Sequence, residues 1–159
     1  MNIISNLVEV HIFGETENGI KFLLLKRAED QIYPGVWQMV SGKIKENEKA
    51  LETSLRELKE ETNLTPLKMW IAPKVNSFYS LKTDSICLIP VFAVQVNKDS
   101  KVIISDEHSE YKWVTSEEAK RLLAWDGQRK AVELIEEYFL NEKSFLKFVV
   151  VEIDFSSLY

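Results

Sequence analysis

The chain has 159 residues, 45% hydrophobic and 28% charged, a composition typical of one soluble globular domain, so we treat residues 1–159 as a single domain. Its net charge of −5 and the lack of a basic block argue against binding to a nucleic acid polymer or to an anionic membrane. The single cysteine excludes a disulfide framework, and the lack of a signal-peptide pattern or a membrane-spanning run predicts a cytoplasmic location.

The first predicted elements form a β-hairpin. Val8–Phe13 alternates in part between apolar and polar residues, and Ile20–Lys26 is apolar at its centre, as expected for a strand buried on both faces. The polar segment Glu15–Gly19 between them supplies the turn. After a loop with the turn signal Pro34–Gly35, the apolar segment Val36–Val40 predicts another short strand.

Residues Asn47–Thr62 form the strongest predicted helix. The side chain of Asn47 can cap the helix N-terminus. Residues spaced by three and four positions lie along one side of this helix, namely Leu51, Leu55, Leu58 and Thr62. Asn63 tolerates the left-handed conformation common at helix ends, and Pro66 discourages further helix.

The second half of the chain continues the alternation of strands and helices. Thr115 and Glu118 have the spacing of a capping box, which predicts a helix from Thr115 onwards. The other predicted elements are strands at Lys68–Tyr79, Ser85–Val96 and Tyr111–Val114 and a helix at Gln128–Leu140. Strands interleaved with a few helices indicate an α/β or α+β protein with a mixed sheet.

The C-terminal residues 145–159 predict a β-rich extension of the same domain. Its segment Phe145–Phe155 is apolar. This segment either adds an edge strand to the sheet or pairs with a second copy of the protein, which would make a homodimer. The sequence leaves both alternatives open.

The predicted helix carries three carboxylates on one face. On a helical wheel with about 100° per residue, Glu60 and Glu61 fall roughly 60° and 40° to either side of Glu57. Small residues lie on the same face one or two turns earlier, and the leucine stripe lies roughly 130° away. Hard divalent cations such as Mg²⁺ prefer oxygen ligands of this kind. The helix alone therefore indicates either a solvated acidic surface or a metal site.

The spacing around this helix resembles the Nudix box. Gly42 is followed by five residues and Glu48, then by seven residues and the segment Arg56–Glu61. The matched positions are Gly42, Glu48, Arg56, Glu57, Leu58, Glu60, Glu61 and Leu64. Asn63 stands where the family has glycine, and asparagine also tolerates a positive φ. The resemblance implies the Nudix fold, a mixed β-sheet sandwiched between helices (α/β/α).

Nudix enzymes hydrolyse a nucleoside diphosphate linked to another group, with Mg²⁺ or Mn²⁺ as the cofactor. The resemblance implies that Glu57, Glu60 and Glu61 hold the metal, that the Gly42 carbonyl adds a ligand, and that Glu57 is a candidate base. It also implies an ion pair between Glu48 and Arg56, with Arg56 as a phosphate clamp as the alternative.

A further acid often lies outside the box in this family. The segment 105–114 offers Glu107 as a metal ligand or general base, and the alternative is an ordinary acidic loop. His108 either assists or only fills this loop, whereas His11, within a strand, is expected to be structural.

The segment before the box is similar to the Nudix subgroup that includes dihydroneopterin triphosphate pyrophosphohydrolase, also described as dATP pyrophosphohydrolase. Trp37 and Gln38 belong to the shared run, which ends at Gly42. Trp37 could stack on a pterin or purine, with core packing as the alternative, and Gln38 could hydrogen-bond to the edge of the base. Arg27 and Lys43 could reach phosphates or remain exposed charges.

The leading hypothesis is a metal-dependent pyrophosphohydrolase that acts on a purine or pterin triphosphate and releases pyrophosphate. One alternative is a house-cleaning hydrolase of damaged nucleotides or other nucleoside diphosphate derivatives. Another is a non-catalytic nucleotide sensor, which would have no need of the three acids Glu57, Glu60 and Glu61.

Overall fold

A mixed β-sheet forms the centre of the protein, with helices on both of its faces. The computed structural model describes residues 1–141, 147–154 and 156. The described strands are β1 Asn2–Ile4, β2 Leu7–Thr16, β3 Gly19–Arg27, β4 Trp37–Gln38, β5 Val40–Lys43, β6 Lys68–Ser80, β7 Ser85–Gln95, β8 His108–Val114 and β9 Val149–Val151. The described helices are α1 Ala50–Thr62, α2 Ser116–Leu122 and α3 Asp126–Leu140. None of the described helices is long and apolar enough to cross a membrane.

The sheet combines parallel and antiparallel pairs. Its main path runs in the order β4-β3-β2-β7-β6-β9. The β2–β3 hairpin and the β6–β7 pair are antiparallel, whereas β7 pairs in parallel with both β1 and β2. The predicted mixed sheet and the α/β class are therefore confirmed.

The hairpin strands β2 and β3 separate at their open end, and this separation places the site. They pair only near the turn, from Thr16–Gly19 back to Ile12–Leu23. Beyond that point β4 pairs with β3 through Leu25–Gln38, and β5 pairs with β2. The segment 37–43 thus fills the gap and brings Gly42, opposite Val8 on β2, to the middle of the sheet beneath α1.

Two cores cover the two faces of the sheet. The core under α1 includes Val8, Val10, Leu25, Leu58, Leu64, Met69 and Phe92. The core on the opposite face, against α2 and α3, includes Phe13, Phe22, Leu24, Trp70, Ala131 and Ile135. Neighbouring residues of β2 and β3 divide between the two cores because side chains alternate along a strand. The arrangement is the α/β/α sandwich that the sequence predicts.

The helix α1 begins three residues later than predicted. The prediction that Asn47 caps this helix is wrong: Asn47 has a φ of 64° and lies in the turn before it, and Lys49 occupies the N-cap position. Glu52 instead accepts a hydrogen bond of 2.8 Å from the Lys49 backbone N–H. At the other end, Asn63 has a φ of 59°, which confirms the predicted left-handed helix end.

The C-terminal segment contributes an edge strand. β9 pairs antiparallel with β6 through Met69–Val151 and Ile71–Val149, as one of the two alternatives predicts. Ile153 then packs against the α1 side of the sheet. Phe145 and Phe155, the ends of the predicted apolar segment, lie outside the described residues. The single domain and the pairing with a second copy stay predictions.

Candidate metal site on the acidic helix

The three acids of α1 have different environments, although they lie on one helix face. The exposed fraction of the side chain is 13% for Glu57, 53% for Glu60 and 3% for Glu61. Glu57 lies directly over Gly42, where an added Cβ would come within 2.2 Å of its carboxyl carbon. A side chain at position 42 would therefore displace Glu57, and this contact explains why the position holds glycine.

The guanidinium of Arg56 joins the loop before the helix to the acids on it. Arg56 forms a two-bond ion pair with Glu48, at 2.7 and 2.9 Å, and donates to Glu57 at 2.7 Å and to Glu60 at 3.1 Å. It also donates to the Lys43 carbonyl oxygen at 3.1 Å. Hydrogen bonds from Arg56 and then from Thr53 lower the pKa of Glu48 to about 2. The structure thus contains the Glu48–Arg56 ion pair that the sequence suggests.

Glu61 is the buried acid of the site. Its Oε2 atom has no hydrogen-bond partner among the described residues. Burial, followed by the negative charges of Glu57 and Glu107, raises the pKa of Glu61 to about 9. Burial also raises the pKa of Glu57. Burial and the neighbouring negative charges both disfavour the ionised form of the acids, whereas a cation bound between them would favour it.

The donor set fits a divalent cation, since it consists of carboxylate oxygens, one of which has no partner within the described part of the chain. In the structure Arg56 engages Glu57 and Glu60. Accordingly, no group of three or more His, Cys, Asp or Glu side chains stands in ligating geometry among the residues that the structure describes. Glu57, Glu60 and Glu61 are the residues that would hold the metal.

An open cavity of about 510 Å³ lies beside these acids. Its lining consists of Lys43, Ile44, Lys45, Glu46, Arg56, Glu57, Glu60 and Glu107. The structure therefore brings Glu107 and Lys43 into one cleft with Glu57 and Glu60. Positive side chains next to carboxylates suit an anion that binds together with a metal ion.

A second cavity of about 650 Å³ lies between the outer side of α1 and residues 152–154. Its walls include Leu51, Leu55, Leu64 and Pro66, and of the three acids only Glu60 lines it, whereas both Glu57 and Glu60 line the smaller cavity. We therefore place the candidate site in the smaller cavity.

Gln38 and His108 form a buried chain behind Glu61. Arg27 Nη1 donates to Gln38 Oε1 at 3.3 Å, Gln38 Nε2 lies 3.1 Å from His108 Nε2, and His108 Nε2 lies 3.6 Å from Glu61 Oε1. Arg27 also donates from Nε to the Ile32 carbonyl oxygen. Burial and the nearby charge of Arg27 lower the pKa of His108 to about 4. Gln38 and Arg27 thus contact protein groups in the structure.

Trp37 and Gln38 do not face the same side of the sheet. Gln38 pairs with Leu25, which belongs to the core under α1, whereas Trp37 pairs with Lys26 and packs against the core of α2 and α3. The Nζ atoms of Lys26 and Lys112 lie 5.9 and 5.8 Å from the centre of the indole ring. The structure therefore does not bring Trp37 and Gln38 together on one ligand surface.

The sequence interpretation left open whether His108 assists or only fills its loop, and the structure places it at the centre of the buried chain. The reason is a bulge between Lys26 and Arg27, which pairs Arg27 directly with His108 across β3 and β8. A bulge of this kind has no reliable sequence signal, since neither residue is a glycine. The only available signal was the position of His108 beside Glu107.

Comparisons with known proteins agree with this geometry. A profile of the NUDIX domain matches residues 7–135. The chain is 30% identical over 129 residues to the asymmetrical bis(5'-nucleosyl)-tetraphosphatase of Mus musculus, covering 77% of this chain and 84% of that protein. The chain spans only 31% of the length of an octanoyltransferase of Myxococcus xanthus, to which it is 28% identical over 114 residues.

Solved structures show the same fold. A NUDIX hydrolase structure from Listeria monocytogenes matches with a TM-score of 0.74 and 30% identity, covering 89% of this chain and 97% of that chain. The dihydroneopterin triphosphate pyrophosphohydrolase of E. coli matches with a TM-score of 0.66 and 23% identity, covering 85% of this chain and 94% of that chain.

Proposed function

Because the chain belongs to the NUDIX family of hydrolases, we propose that it is a divalent-metal-dependent pyrophosphohydrolase. Its substrate is a nucleoside or pterin triphosphate, which it cleaves to the monophosphate and pyrophosphate. The observation that carries the proposal is the buried Glu61, whose Oε2 lacks a partner among the described residues, next to Glu57 and Glu60. A bound Mg²⁺ or Mn²⁺ would neutralise phosphate oxygens and lower the pKa of a bound water.

The residues of the cleft divide into three roles in this proposal. Glu60 and Glu61 hold the metal together with Glu57, and the Gly42 carbonyl adds a ligand. Glu57 also accepts the proton of the attacking water, and its raised pKa brings it closer to the range of an effective base. Glu107, which lines the same cavity, is the second candidate for this proton. Lys43 binds phosphate oxygens that the metal leaves unneutralised.

The purine or pterin ring of the substrate contacts a different part of the protein. Trp37, which is half-buried against the core of α2 and α3, is the aromatic side chain that the sequence offers for stacking on a purine or pterin. A Trp37→Leu variant, which preserves apolar contact with the core, should raise KM for one base and not for another. An equal change of KM for all bases would contradict a stacking role.

A second candidate substrate is a dinucleoside polyphosphate. It is favoured by the 30% identity to the mouse tetraphosphatase, which this chain matches over 84% of that protein's length. The cleft is open, and its acids and lysines would face the polyphosphate of either substrate.

The test is a substrate panel with Mg²⁺ and identification of the products. It includes nucleoside and pterin triphosphates, dinucleoside polyphosphates, sugar nucleotides and oxidised nucleotides, so that the house-cleaning alternative is covered. Pyrophosphate released from a triphosphate supports the proposal, and preferred cleavage of a dinucleoside polyphosphate supports the second candidate. Binding without turnover on the whole panel would indicate a nucleotide sensor.

Three variants complete the test. Glu60→Gln and Glu61→Gln should each lose several orders of magnitude in kcat, because each removes a carboxylate that we assign to the metal. Glu137→Gln is the matched control, because Glu137 is an exposed acid on α3, outside the cleft. Unchanged turnover in both site variants would overturn the metal assignment. A cytoplasmic location and a homodimer remain part of the prediction, and fractionation and light scattering test them.

A further inference from the structure

The buried chain from Arg27 to Glu61 fixes the direction of its hydrogen bonds. A guanidinium has only donors, so the atom of Gln38 that faces Arg27 at 3.3 Å must be the amide oxygen. The amide nitrogen of Gln38 then faces His108 Nε2 at 3.1 Å. Because this nitrogen is a donor, His108 Nε2 must accept, and the ring proton of a neutral His108 must lie on Nδ1.

This direction has a consequence for Glu61. His108 Nε2 lies 3.6 Å from Glu61 Oε1, and because its lone pair accepts from Gln38 it offers no N–H group to the carboxylate. In the opposite tautomer an N–H on the same nitrogen would offer Glu61 a hydrogen bond. A carboxylate oxygen that accepts an N–H group on its metal-facing side has one lone pair fewer for a cation.

Two buried atoms of the turn before β8 have no hydrogen-bond partner among the described residues, namely His108 Nδ1 and Ser105 Oγ. The turn is closed by a hydrogen bond from the His108 backbone N–H to the Ser105 carbonyl oxygen at 3.1 Å. The tautomer is therefore assigned from the Arg27–Gln38–His108 contacts alone.

We propose that Gln38 is a positioning residue that locks His108 in the Nδ1–H tautomer, so that His108 offers Glu61 no N–H group in competition with the metal ion. Arg27 fixes the orientation of the Gln38 amide, and the tautomer of His108 determines which group faces Glu61. This tautomer lock rests on the proposed function in one respect, the assignment of Glu61 as a metal ligand. The tautomer itself does not depend on that assignment.

The first test is nitrogen NMR of the two histidines of the intact chain at pH 7. The protein has only His11 and His108, so a His11→Gln variant assigns both signals. Long-range ¹H–¹⁵N correlations distinguish the two neutral tautomers. We expect wild-type His108 to be Nδ1–H and the isosteric variant Gln38→Leu to shift it towards Nε2–H. A wild-type His108 in the Nε2–H form would overturn the tautomer lock.

The second test is the affinity for Mn²⁺, measured by electron paramagnetic resonance without substrate. Gln38→Leu should weaken binding by about tenfold, as is typical for the loss of a group that orients a metal ligand. In the Glu61→Gln background, Gln38→Leu should have no further effect. Gln95→Leu on β7 is the matched control and should leave the affinity unchanged.

The two readouts separate the possible failures. A wild-type protein that binds no Mn²⁺ contradicts the proposed function, whereas the NMR result still decides the tautomer. A wild-type protein that binds Mn²⁺ with the same affinity as Gln38→Leu contradicts the tautomer lock. If Gln38→Leu does not fold, Arg27→Met replaces it, since the amide of Gln38 is then free to rotate. Unchanged His108 signals in Arg27→Met would also contradict the lock.

Discussion

The protein buries two carboxylates to nearly the same degree but gives them opposite hydrogen-bonding environments. Glu9 on β2 is 3% exposed and Glu61 on α1 is 2% exposed. Both oxygens of Glu9 are hydrogen-bonded, Oε1 to His11 Nε2 at 2.6 Å and Oε2 to Asn76 Nδ2 at 2.8 Å. Glu61 leaves Oε2 without a partner among the described residues.

The pKa values express the same contrast. Burial raises the pKa of both acids, but for Glu9 the hydrogen bonds from His11 and Asn76 outweigh burial and the net pKa is lowered. For Glu61 the charges of Glu57 and Glu107 add to burial, and the pKa rises to about 9. A buried acid with its partners in place contributes to the fold, whereas one without them marks a place for a ligand.

The sharpest way to break this comparison is to neutralise each acid in turn. Glu61→Gln should lose several orders of magnitude in kcat and keep or increase the free energy of unfolding, because at neutral pH it removes the cost of protonating a buried acid whose pKa is raised to about 9. Turnover assays and urea denaturation measure the two quantities. A large loss of stability with unchanged kcat would show that Glu61 is structural.

Two glycines extend the comparison, one beside Glu57 in the cluster of Glu61 and one beside Asn76 in the cluster of Glu9. At Gly42 a Cβ would lie 2.2 Å from the carboxyl carbon of Glu57, and at Gly127 a Cβ would lie 2.5 Å from Oδ1 of Asn76, which holds Glu9. Gly42→Ala should therefore abolish Mn²⁺ binding and most of the turnover. Gly127→Ala should cost about 1–3 kcal/mol of stability from overpacking and retain kcat. Similar effects on kcat in both variants would remove the distinction.

Metal ions should stabilise the protein only through the cluster of Glu57, Glu60 and Glu61, which we call the open cluster. At a Mg²⁺ or Mn²⁺ concentration 100 times the Kd, binding to the native state adds about 2.7 kcal/mol to the free energy of unfolding. This gain should disappear in Glu61→Gln and persist in a Glu9→Gln variant. Thermal unfolding with metal and with a chelator makes the comparison, and a gain that persists in Glu61→Gln would place the metal elsewhere.

The cluster of Glu9, His11 and Asn76, which we call the closed cluster, should affect only the stability of the protein when it is mutated. Glu9→Gln replaces one acceptor oxygen by a donor and breaks the pairing with His11 or Asn76, at a cost of about 1–3 kcal/mol. Urea denaturation measures this cost, and kcat of the folded protein should stay near the wild-type value. A loss of kcat larger than the unfolded fraction explains would connect Glu9 to the reaction.

The smallest predicted effect concerns the ion pair that braces α1. Arg56 and then Thr53 lower the pKa of Glu48 from 4.5 to about 2, so the stabilisation is complete above pH 4.5 and is lost as the pH falls towards 2. Glu48→Gln should thus be less stable than wild type at pH 6, and the difference should shrink between pH 4.5 and pH 2. A difference independent of pH would exclude the ion pair as its cause.

Spacing in the sequence predicted the fold and the acidic face well. Fixed offsets along a helix determine which side chains share a face, so Glu57, Glu60 and Glu61 could be grouped before any coordinates were known. The hairpin, the long strands β6 and β7 and the left-handed Asn63 follow from equally local rules. The start of α1 was missed because Asn47 adopts a turn conformation with positive φ, and a polar side chain signals both turns and caps.

The groups behind the site could not be predicted, because they meet through tertiary pairing. Gln38 and His108 lie 70 positions apart, and only the insertion of β4 beside β3 and the bulge at Arg27 bring them into contact. The opposite directions of Trp37 and Gln38 could have been predicted from the sequence, because these residues lie in a predicted strand and side chains alternate along a strand. Asn76, which completes the closed cluster, depends in the same way on the β6–β7 pairing.

The strand β4 has only two residues, and each serves a different side of the protein. A shift of one residue in its pairing with β3 would send the indole towards α1 and the amide towards α3. The length of the loop 28–36 is therefore constrained by register, although loops ordinarily tolerate insertions. A single inserted residue there would damage the core and the tautomer of His108 together, and an insertion that keeps the pairing of Leu25 with Gln38 would damage neither.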